Sequence, residues 1–277
     1  MICGSRKREG EFEGRFLSAS NGPYLMPFSK NKAQLIVALD VESFQQAKAL
    51  VKQLARHVDI FKIGSPLFTL LGPQVVHYIT SLGKKVFLDL KYYDIPHTVA
   101  GAVEAAVGLN KIFLKKAHAS KGSPKGALWM LTVHAAGGEK MLKAAVEASR
   151  KAAREQGVLR PMIVAVTVLT SEEKQDNILP LVLERAQLAM RSGCDGVVAS
   201  CDESAEIRRV LGKDLLVITP GIRPLGTALE DQKRTATPAQ AITKGSNFLV
   251  VGRPIIEAED PRQIVKNILD EIRQAEP

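Results

Sequence analysis

The chain is poor in several features that particular protein classes require. Its 277 residues include three cysteines, one tryptophan and only 5% aromatic residues. Cys3, Cys194 and Cys201 form no Cys-x-x-Cys pair, so neither a disulfide framework nor a cysteine-based zinc site is predicted. No apolar run approaches the roughly 18 residues that a membrane span needs, and the N-terminus lacks the apolar stretch of a signal peptide. We therefore expect an unsecreted, cytoplasmic protein with no membrane partner.

The net charge of +9 is concentrated in two segments. Residues 1–32 carry a net charge of +3, and residues 110–126 contain five lysines and no acidic residue. Basic segments can bind RNA, but no RNA-binding or helix-turn-helix signature accompanies them. We therefore expect two solvated segments on a nearly neutral body, and no nucleic-acid partner.

The charge distribution also suggests a domain organisation. Residues 1–32 are expected to form a basic, poorly ordered N-terminal extension. Residues 33–277 are expected to form one domain, with a lysine-rich insertion at about 110–126 on the side opposite the active site. Met26 lies shortly before the first apolar run, so a translation start at Met26 is our hypothesis for the origin of the extension.

Eight short apolar runs alternate with longer helix-like stretches from Gln34 onward, which is typical of repeated βα units and a parallel sheet. The runs end at Asp40, Gly64, Lys91, Ala135, Leu169, Ser200, Gly221 and Pro254. Eight such units predict a closed (β/α)8 TIM barrel of a single domain, with the active site at the C-terminal ends of the strands. An open doubly wound sheet is the alternative, but no GxGxxG follows the first run.

The third run ends in charged residues. Because strand side chains alternate, Asp89 and Lys91 are predicted to face the barrel mouth while Leu90 faces the helices. Asp94 follows three residues later, giving the pattern D-x-K-x-x-D. Carboxylates around an ammonium favour its charged form, so Lys91 is predicted to be a proton donor. An ordinary ion pair on the barrel rim is the competing interpretation.

The last two runs are each followed by glycine and arginine. Gly221 and Arg223 follow the seventh run, and Gly252 and Arg253 follow the eighth. Barrels often hold a phosphate at these two positions, where glycine lets the backbone approach an anion and arginine supplies a planar donor pair. The polar stretch 224–238 between them is either a mobile lid or a passive surface loop.

Several motifs occur together in one order along the chain. These are IVALD with Asp40, KIG with Lys62, FLDLKYYDIPHT at 87–98, TVHAAGG, VTVLTS with Thr170, TPGIRP, DQKRTATP with Gln232, and VGRPI. In these motifs the chain resembles the orotidine 5'-phosphate decarboxylase family. The resemblance implies conversion of orotidine 5'-phosphate to UMP and CO2 in pyrimidine biosynthesis, with no metal and no organic cofactor.

The resemblance also implies residue roles. The catalytic set would be Lys91, Asp89, Asp94 and Lys62, with Lys91 donating the proton to C6 of the pyrimidine. The enzyme would be a homodimer in which Asp94 and Thr98 reach the neighbouring subunit's site. The substrate-binding set would be Asp40, Lys62, Asp89, Thr98, Thr170, Arg223, Gln232, Gly252 and Arg253.

The nearest alternative enzyme is a Mg2+-dependent phosphosugar lyase of the same superfamily, such as 3-keto-gulonate-6-phosphate decarboxylase or hexulose-phosphate synthase. Those enzymes share D-x-K-x-x-D but carry a metal-binding glutamate where this chain has Lys62. Because a cation at that position repels a metal ion, the sequence favours the metal-independent reaction. An RNA-binding protein acting through the two basic segments is a more distant alternative.

Overall fold

The computed structural model describes residues 33–117, 126–169, 178–224 and 235–275. The predicted N-terminal extension, Thr170, Gln232 and residues 118–125 of the predicted insertion lie outside these ranges. Side chains are described throughout the ranges except at 112–117.

Eight parallel strands close into a barrel in sequence order, with β8 hydrogen-bonded to β1, which confirms the predicted TIM barrel. The strands are β1 Gln34–Ala38, β2 Ile60–Gly64, β3 Lys85–Tyr92, β4 Ala127–His134, β5 Met162–Val166, β6 Gly196–Val198, β7 Leu216–Thr219 and β8 Phe248–Val251. Every strand pair in the closed sheet is parallel, as βα units require.

Helices cover the outside of the barrel. They are α1 Phe44–Leu54, α2 Ser65–Leu71, α3 Pro73–Ser81, α4 Pro96–Ala117, α5 Gly138–Gln156, α6 Leu179–Arg191, α7 Cys201–Leu211, α8 Pro238–Thr243, α9 Arg253–Ile256 and α10 Pro261–Ala275. A 3-10 turn, Ala135–Gly137, precedes α5. Ser43 starts α1, because its hydroxyl accepts a hydrogen bond from the backbone N–H of Gln46 at 3.2 Å.

Helix α4 is tied to the barrel near its C-terminal end. The side chain of Asn110 donates hydrogen bonds to the carbonyls of Leu128 and Leu159, at 3.0 and 2.9 Å, and accepts one from the N–H of Leu128 at 2.8 Å. Asn110 is buried, and its two bonds with Leu128 satisfy buried backbone groups, while the bond to Leu159 is partly buried. The helix continues past Asn110 to Ala117, into the stretch that the sequence suggests as an insertion.

The apolar core has two layers. The outer layer fills the space between strands and helices, and the inner layer fills the barrel itself. At the inner layer, the rings of Trp129 and Phe248 meet edge to face with centroids 5.3 Å apart. The ammonium of Lys85 lies 4.5 Å from the centre of the Trp129 ring. These side chains close the bottom of the barrel, so the open end is the one at the C-terminal ends of the strands.

In the part of the chain that the structure describes, no helix is both long enough and apolar enough to cross a bilayer.

Candidate active site

Charged side chains from the strand ends line a pocket at the open end of the barrel. The predicted site residues that the structure brings together there are Asp40, Lys62, Asp89, Lys91, Arg223, Gly252 and Arg253. Apolar side chains from β5, β6 and β7, including Val166, Val198 and Ile218, form one wall of the same pocket. The pocket therefore has a charged side, an apolar side and a pair of arginines.

Four of the charged residues form a continuous chain of ion pairs. Lys62 Nζ lies 3.1 Å from Asp40 Oδ1 and 3.7 Å from Asp89 Oδ2. Lys91 Nζ lies 2.9 Å from the same Asp89 oxygen. The side chains of Lys62 and Asp89 are only 12% and 13% exposed, whereas that of Lys91 is 38% exposed. Lys91 therefore presents the more accessible ammonium to the pocket.

The strand that carries Asp89 and Lys91 is irregular at this point. Leu88 pairs with Leu131 and Tyr92 with Val133, so the three residues 89–91 of β3 stand opposite Thr132 alone on β4. Within the described ranges, Lys91 is the one non-glycine residue with a positive φ, at 51°. A bulge of this kind redirects a side chain, and it is typical next to active sites.

The bulge corrects part of the sequence reasoning. Leu90 packs against the outer core, as simple alternation predicts. Lys91 also lines the pocket, but its left-handed backbone means that regular alternation is not the reason. Tyr92 packs on the helix side, and burial raises the pKa of its phenol.

Sequence reasoning missed Thr132, which is fully buried behind the ion pairs. Its hydroxyl oxygen is 3.0 Å from Asp89 Oδ1 and accepts a 2.8 Å hydrogen bond from the backbone N–H of Lys91. The only available signal was its place at the start of the motif TVHAAGG, two residues before His134. The Nδ1 atom of that histidine accepts a hydrogen bond from Ala136 N–H, and its ring lies 5.6 Å from that of Tyr93.

Two predicted site residues lie elsewhere. Asp94 and Thr98 are outside the pocket lining, on the stretch 93–98, in which all six residues are exposed. Asp94 Oδ1 accepts a 2.6 Å hydrogen bond from the N–H of Ile95, just before α4 begins. Tyr93 and Ile95 on either side of it are 63% and 65% exposed, so this stretch presents two large side chains to the outside of the chain.

The arginine end of the pocket is built by two chain segments. Arg223 N–H donates to the carbonyl of Ala236 at 2.9 Å, and Ala236 N–H donates to the carbonyl of Gly221 at 3.3 Å, so the two sides of residues 225–234 are joined. The Nε atom of Arg223 is buried and has no hydrogen-bond partner among the described residues. A buried guanidinium nitrogen of this kind suits an anionic ligand.

Gly252 allows the β8 end to approach β1 closely. A Cβ atom at this position would lie 3.3 Å from Asp40 Oδ2 and 3.4 Å from the Cβ of Ala38. Any side chain would therefore press on the carboxylate that pairs with Lys62. The position connects the arginine end of the pocket to the ion-pair chain.

Residues 33–268 match the family model described as Orotidine 5'-phosphate decarboxylase / HUMPS family. A curated orotidine 5'-phosphate decarboxylase of Teredinibacter turnerae is 43% identical over 251 residues, covering 87% of this chain and 97% of the relative. The enzyme of the same name from Halorhodospira halophila is 45% identical over 250 residues, with 87% and 97% coverage.

A solved structure of an enzyme with the same name is also similar to this chain. The crystal structure of orotidine 5'-phosphate decarboxylase from Lactobacillus acidophilus superposes with a TM-score of 0.71 at 34% sequence identity. The alignment covers 87% of this chain and 99% of that one.

Proposed function

The chain belongs to the orotidine 5'-phosphate decarboxylase / HUMPS family, and we propose that it acts as the decarboxylase, releasing CO2 from orotidine 5'-phosphate to give UMP. It is a carboxy-lyase of pyrimidine biosynthesis. The observation that carries the proposal is the Asp40–Lys62–Asp89–Lys91 ion-pair chain, which ends in an accessible ammonium facing the pocket.

The chemistry requires such a group. Breaking the C6–carboxylate bond leaves its electron pair on an sp2 carbon with little resonance stabilisation, so the site must stabilise localised negative charge. The Lys91 ammonium supplies the positive charge and then its proton, which forms the new C6–H bond. The lysine amine then recovers a proton from water. Asp89, held between two ammonium groups, would lie beside the departing carboxylate.

The other pocket residues would hold the rest of the nucleotide. Asp40 and Lys62 would bind the ribose hydroxyls, and Arg223, Gly252 and Arg253 would bind the phosphate. Contacts far from the reacting carbon accelerate the reaction when part of their energy is realised only in the transition state. Thr170 and Gln232 are further proposed substrate contacts and lie outside the described residues.

A homodimer explains where Asp94 and Thr98 act. Both lie outside this chain's own pocket, on the exposed stretch 93–98 with Tyr93 and Ile95. In the proposed dimer this stretch packs against a second copy, so that the apolar side chains are buried and Asp94 and Thr98 complete the neighbouring site.

We propose the cytoplasm as the location, consistent with free Cys194 and Cys201. We also propose that the protein has no nucleic-acid partner.

The position of Lys62 argues against the Mg2+-dependent alternative. Its ammonium lies between two carboxylates, at 3.1 Å from Asp40 and 3.7 Å from Asp89, where a divalent cation would have to bind. Oxygen ligands bind Mg2+ at about 2.0 to 2.1 Å. Lysine at this place would repel the metal, so the proposed reaction proceeds without one.

An absorbance assay tests the proposal. Purified protein is incubated with orotidine 5'-phosphate and EDTA, and the ultraviolet change on UMP formation is followed. We expect full conversion, unchanged by EDTA. Absence of conversion, together with Mg2+-dependent turnover of a phosphosugar, would replace the proposal with the lyase alternative. Salt-dependent retention of RNA without conversion would favour an RNA-binding protein.

A further inference from the structure

We propose that Thr132 is a positioning residue for the reaction, whose hydroxyl fixes the Asp89 carboxylate and the backbone of Lys91 relative to each other. The proposal rests on the proposed function, because it assigns Thr132 a role in the same site. Thr132 lies on β4, is fully buried and is not part of the pocket lining. It therefore acts through Asp89 and Lys91, without touching substrate.

The direction of both hydrogen bonds is set by chemistry. A backbone N–H can only donate, so Thr132 Oγ1 accepts from Lys91 at 2.8 Å. An ionised carboxylate can only accept, so the hydroxyl proton points to Asp89 Oδ1 at 3.0 Å. A serine hydroxyl could make the same pair of bonds, whereas a valine side chain could make neither.

The bulge explains why Lys91 needs this partner. Residues 89–91 stand opposite Thr132 alone, so the ladder between β3 and β4 is not regular along this stretch. The Thr132 hydroxyl takes the place of a strand carbonyl for the Lys91 N–H. It thereby holds a lysine whose φ of 51° is disfavoured for any residue with a Cβ atom.

The same hydroxyl decides which way Asp89 faces. Because Oδ1 is taken by Thr132, Oδ2 is turned toward Lys91 Nζ at 2.9 Å and Lys62 Nζ at 3.7 Å. Without the hydroxyl, the carboxylate can rotate and the Lys91 backbone can relax. The proton donor would then lie off the line to the reacting carbon. Misplacement by about 1 Å can cost about 100-fold in rate.

Three substitutions separate this role from a merely structural one. Thr132→Val keeps the shape and removes the hydroxyl, and Thr132→Ser keeps the hydroxyl and removes the methyl group. Thr80→Val is the matched control, because Thr80 is also buried and its hydroxyl donates to the carbonyl of Val76 at 3.0 Å within α3, where neither residue lines the pocket.

We expect kcat of Thr132→Val to fall by about 100-fold, with KM changed only a few-fold because the phosphate end is intact. Thr132→Ser should restore kcat to within a few-fold of the unsubstituted protein, and Thr80→Val should leave it unchanged. If Thr132→Val does not fold, Thr132→Ala replaces it in the comparison. Circular dichroism and binding of UMP establish that each variant is folded.

Two results would overturn the assignment. One is a Thr132→Val variant with unchanged kcat. The other is a Thr132→Ser variant as impaired as Thr132→Val, which would show that packing of the methyl group matters and the hydroxyl does not. Failure of the unsubstituted protein to convert orotidine 5'-phosphate, measured in the same series, would instead reject the proposed function.

Discussion

At the residue scale, Lys91 combines an unusual backbone with the proposed chemistry. Its left-handed φ costs on the order of 1 to 2 kcal/mol for a residue with a Cβ atom. The ion pair with Asp89 and the hydrogen bond to Thr132 hold it there. The pattern D-x-K-x-x-D predicted that Lys91 is a proton donor, but it could not predict the left-handed backbone of this residue. That conformation depends on β4, which lies about 40 positions further along the chain.

Two substitutions of Lys91 test charge and backbone separately. Lys91→Ala and Lys91→Gly should each lower kcat by more than about 1,000-fold, because both remove the proposed proton donor. Glycine tolerates a positive φ, so Lys91→Gly should be more stable than Lys91→Ala by about 1 kcal/mol. Activity is measured by the absorbance assay, and stability by urea unfolding.

The control is Lys84→Ala. Lys84 pairs with Asp59 at 2.8 Å just before β3 begins, at the closed end of the barrel, so its removal should leave turnover intact. Turnover by Lys91→Ala close to that of the unsubstituted protein would contradict the mechanism. Equal stabilities of the alanine and glycine variants would contradict the strained backbone.

A second residue-scale prediction concerns alkaline pH. Burial, with a further contribution from Asp195, raises the pKa of the Cys194 thiol to about 12. The unfolded chain loses this proton near pH 8.5, so the native state holds more protons above that pH and its stability falls as pH rises. Between pH 8 and 10 the unfolding free energy of the unsubstituted protein should fall by about 2 kcal/mol more than that of Cys194→Ala. If urea unfolding gives the same change in unfolding free energy between pH 8 and 10 for both proteins, Cys194 does not cause the pH dependence.

At the element scale, apolar runs located all eight strands because each barrel strand is buried on both faces. The bulge in β3 could not be located in this way, since register depends on the neighbouring strand. The hydrogen bonds between Asn110 and β4 could not be predicted either, because a polar residue in a lysine-rich stretch resembles part of a surface loop. Contacts between distant segments decide both features.

The role of Asn110 gives an element-scale prediction. Asn110→Ala removes three hydrogen bonds and leaves the buried N–H and carbonyl of Leu128, and the partly buried carbonyl of Leu159, without this partner. We expect a loss of about 3 kcal/mol in the free energy of unfolding. The adjacent exposed Lys111 is the control, and Lys111→Ala should change stability by less than about 0.5 kcal/mol. A similar small change for both variants would mean that α4 is not anchored at Asn110.

At the scale of the whole molecule, one chain brings most of the predicted site residues together, but not all of them. The sequence predicted residues for binding ribose, binding phosphate and donating the proton at strand ends, and the barrel brings seven of these predicted residues to one pocket. The resemblance assigned Asp94 and Thr98 to a neighbouring subunit's site, and in the folded chain both are exposed on the stretch 93–98, outside this chain's own pocket lining. The proposed second copy would complete the arrangement.

Mixing two inactive variants tests this dimer. Lys91→Ala and Asp94→Ala are each expected to be nearly inactive. After mixing and subunit exchange, about half of the dimers pair one chain of each kind, and one site in each such dimer has both an intact Lys91 and an intact Asp94. We expect recovery of about a quarter of the unsubstituted activity. No recovery after verified exchange would place Asp94 in its own chain's site.

Trp129, at the closed end of the barrel, provides a spectroscopic measure of folding. It is the single tryptophan of the chain, and it sits against Phe248 and Lys85, away from the pocket lining. Its fluorescence emission should therefore report whether the barrel is folded, because the emission shifts to longer wavelength when the tryptophan becomes exposed to solvent. Because Trp129 does not line the pocket, nucleotide binding should leave its emission wavelength unchanged, and this emission would then report unfolding without interference from ligand occupancy.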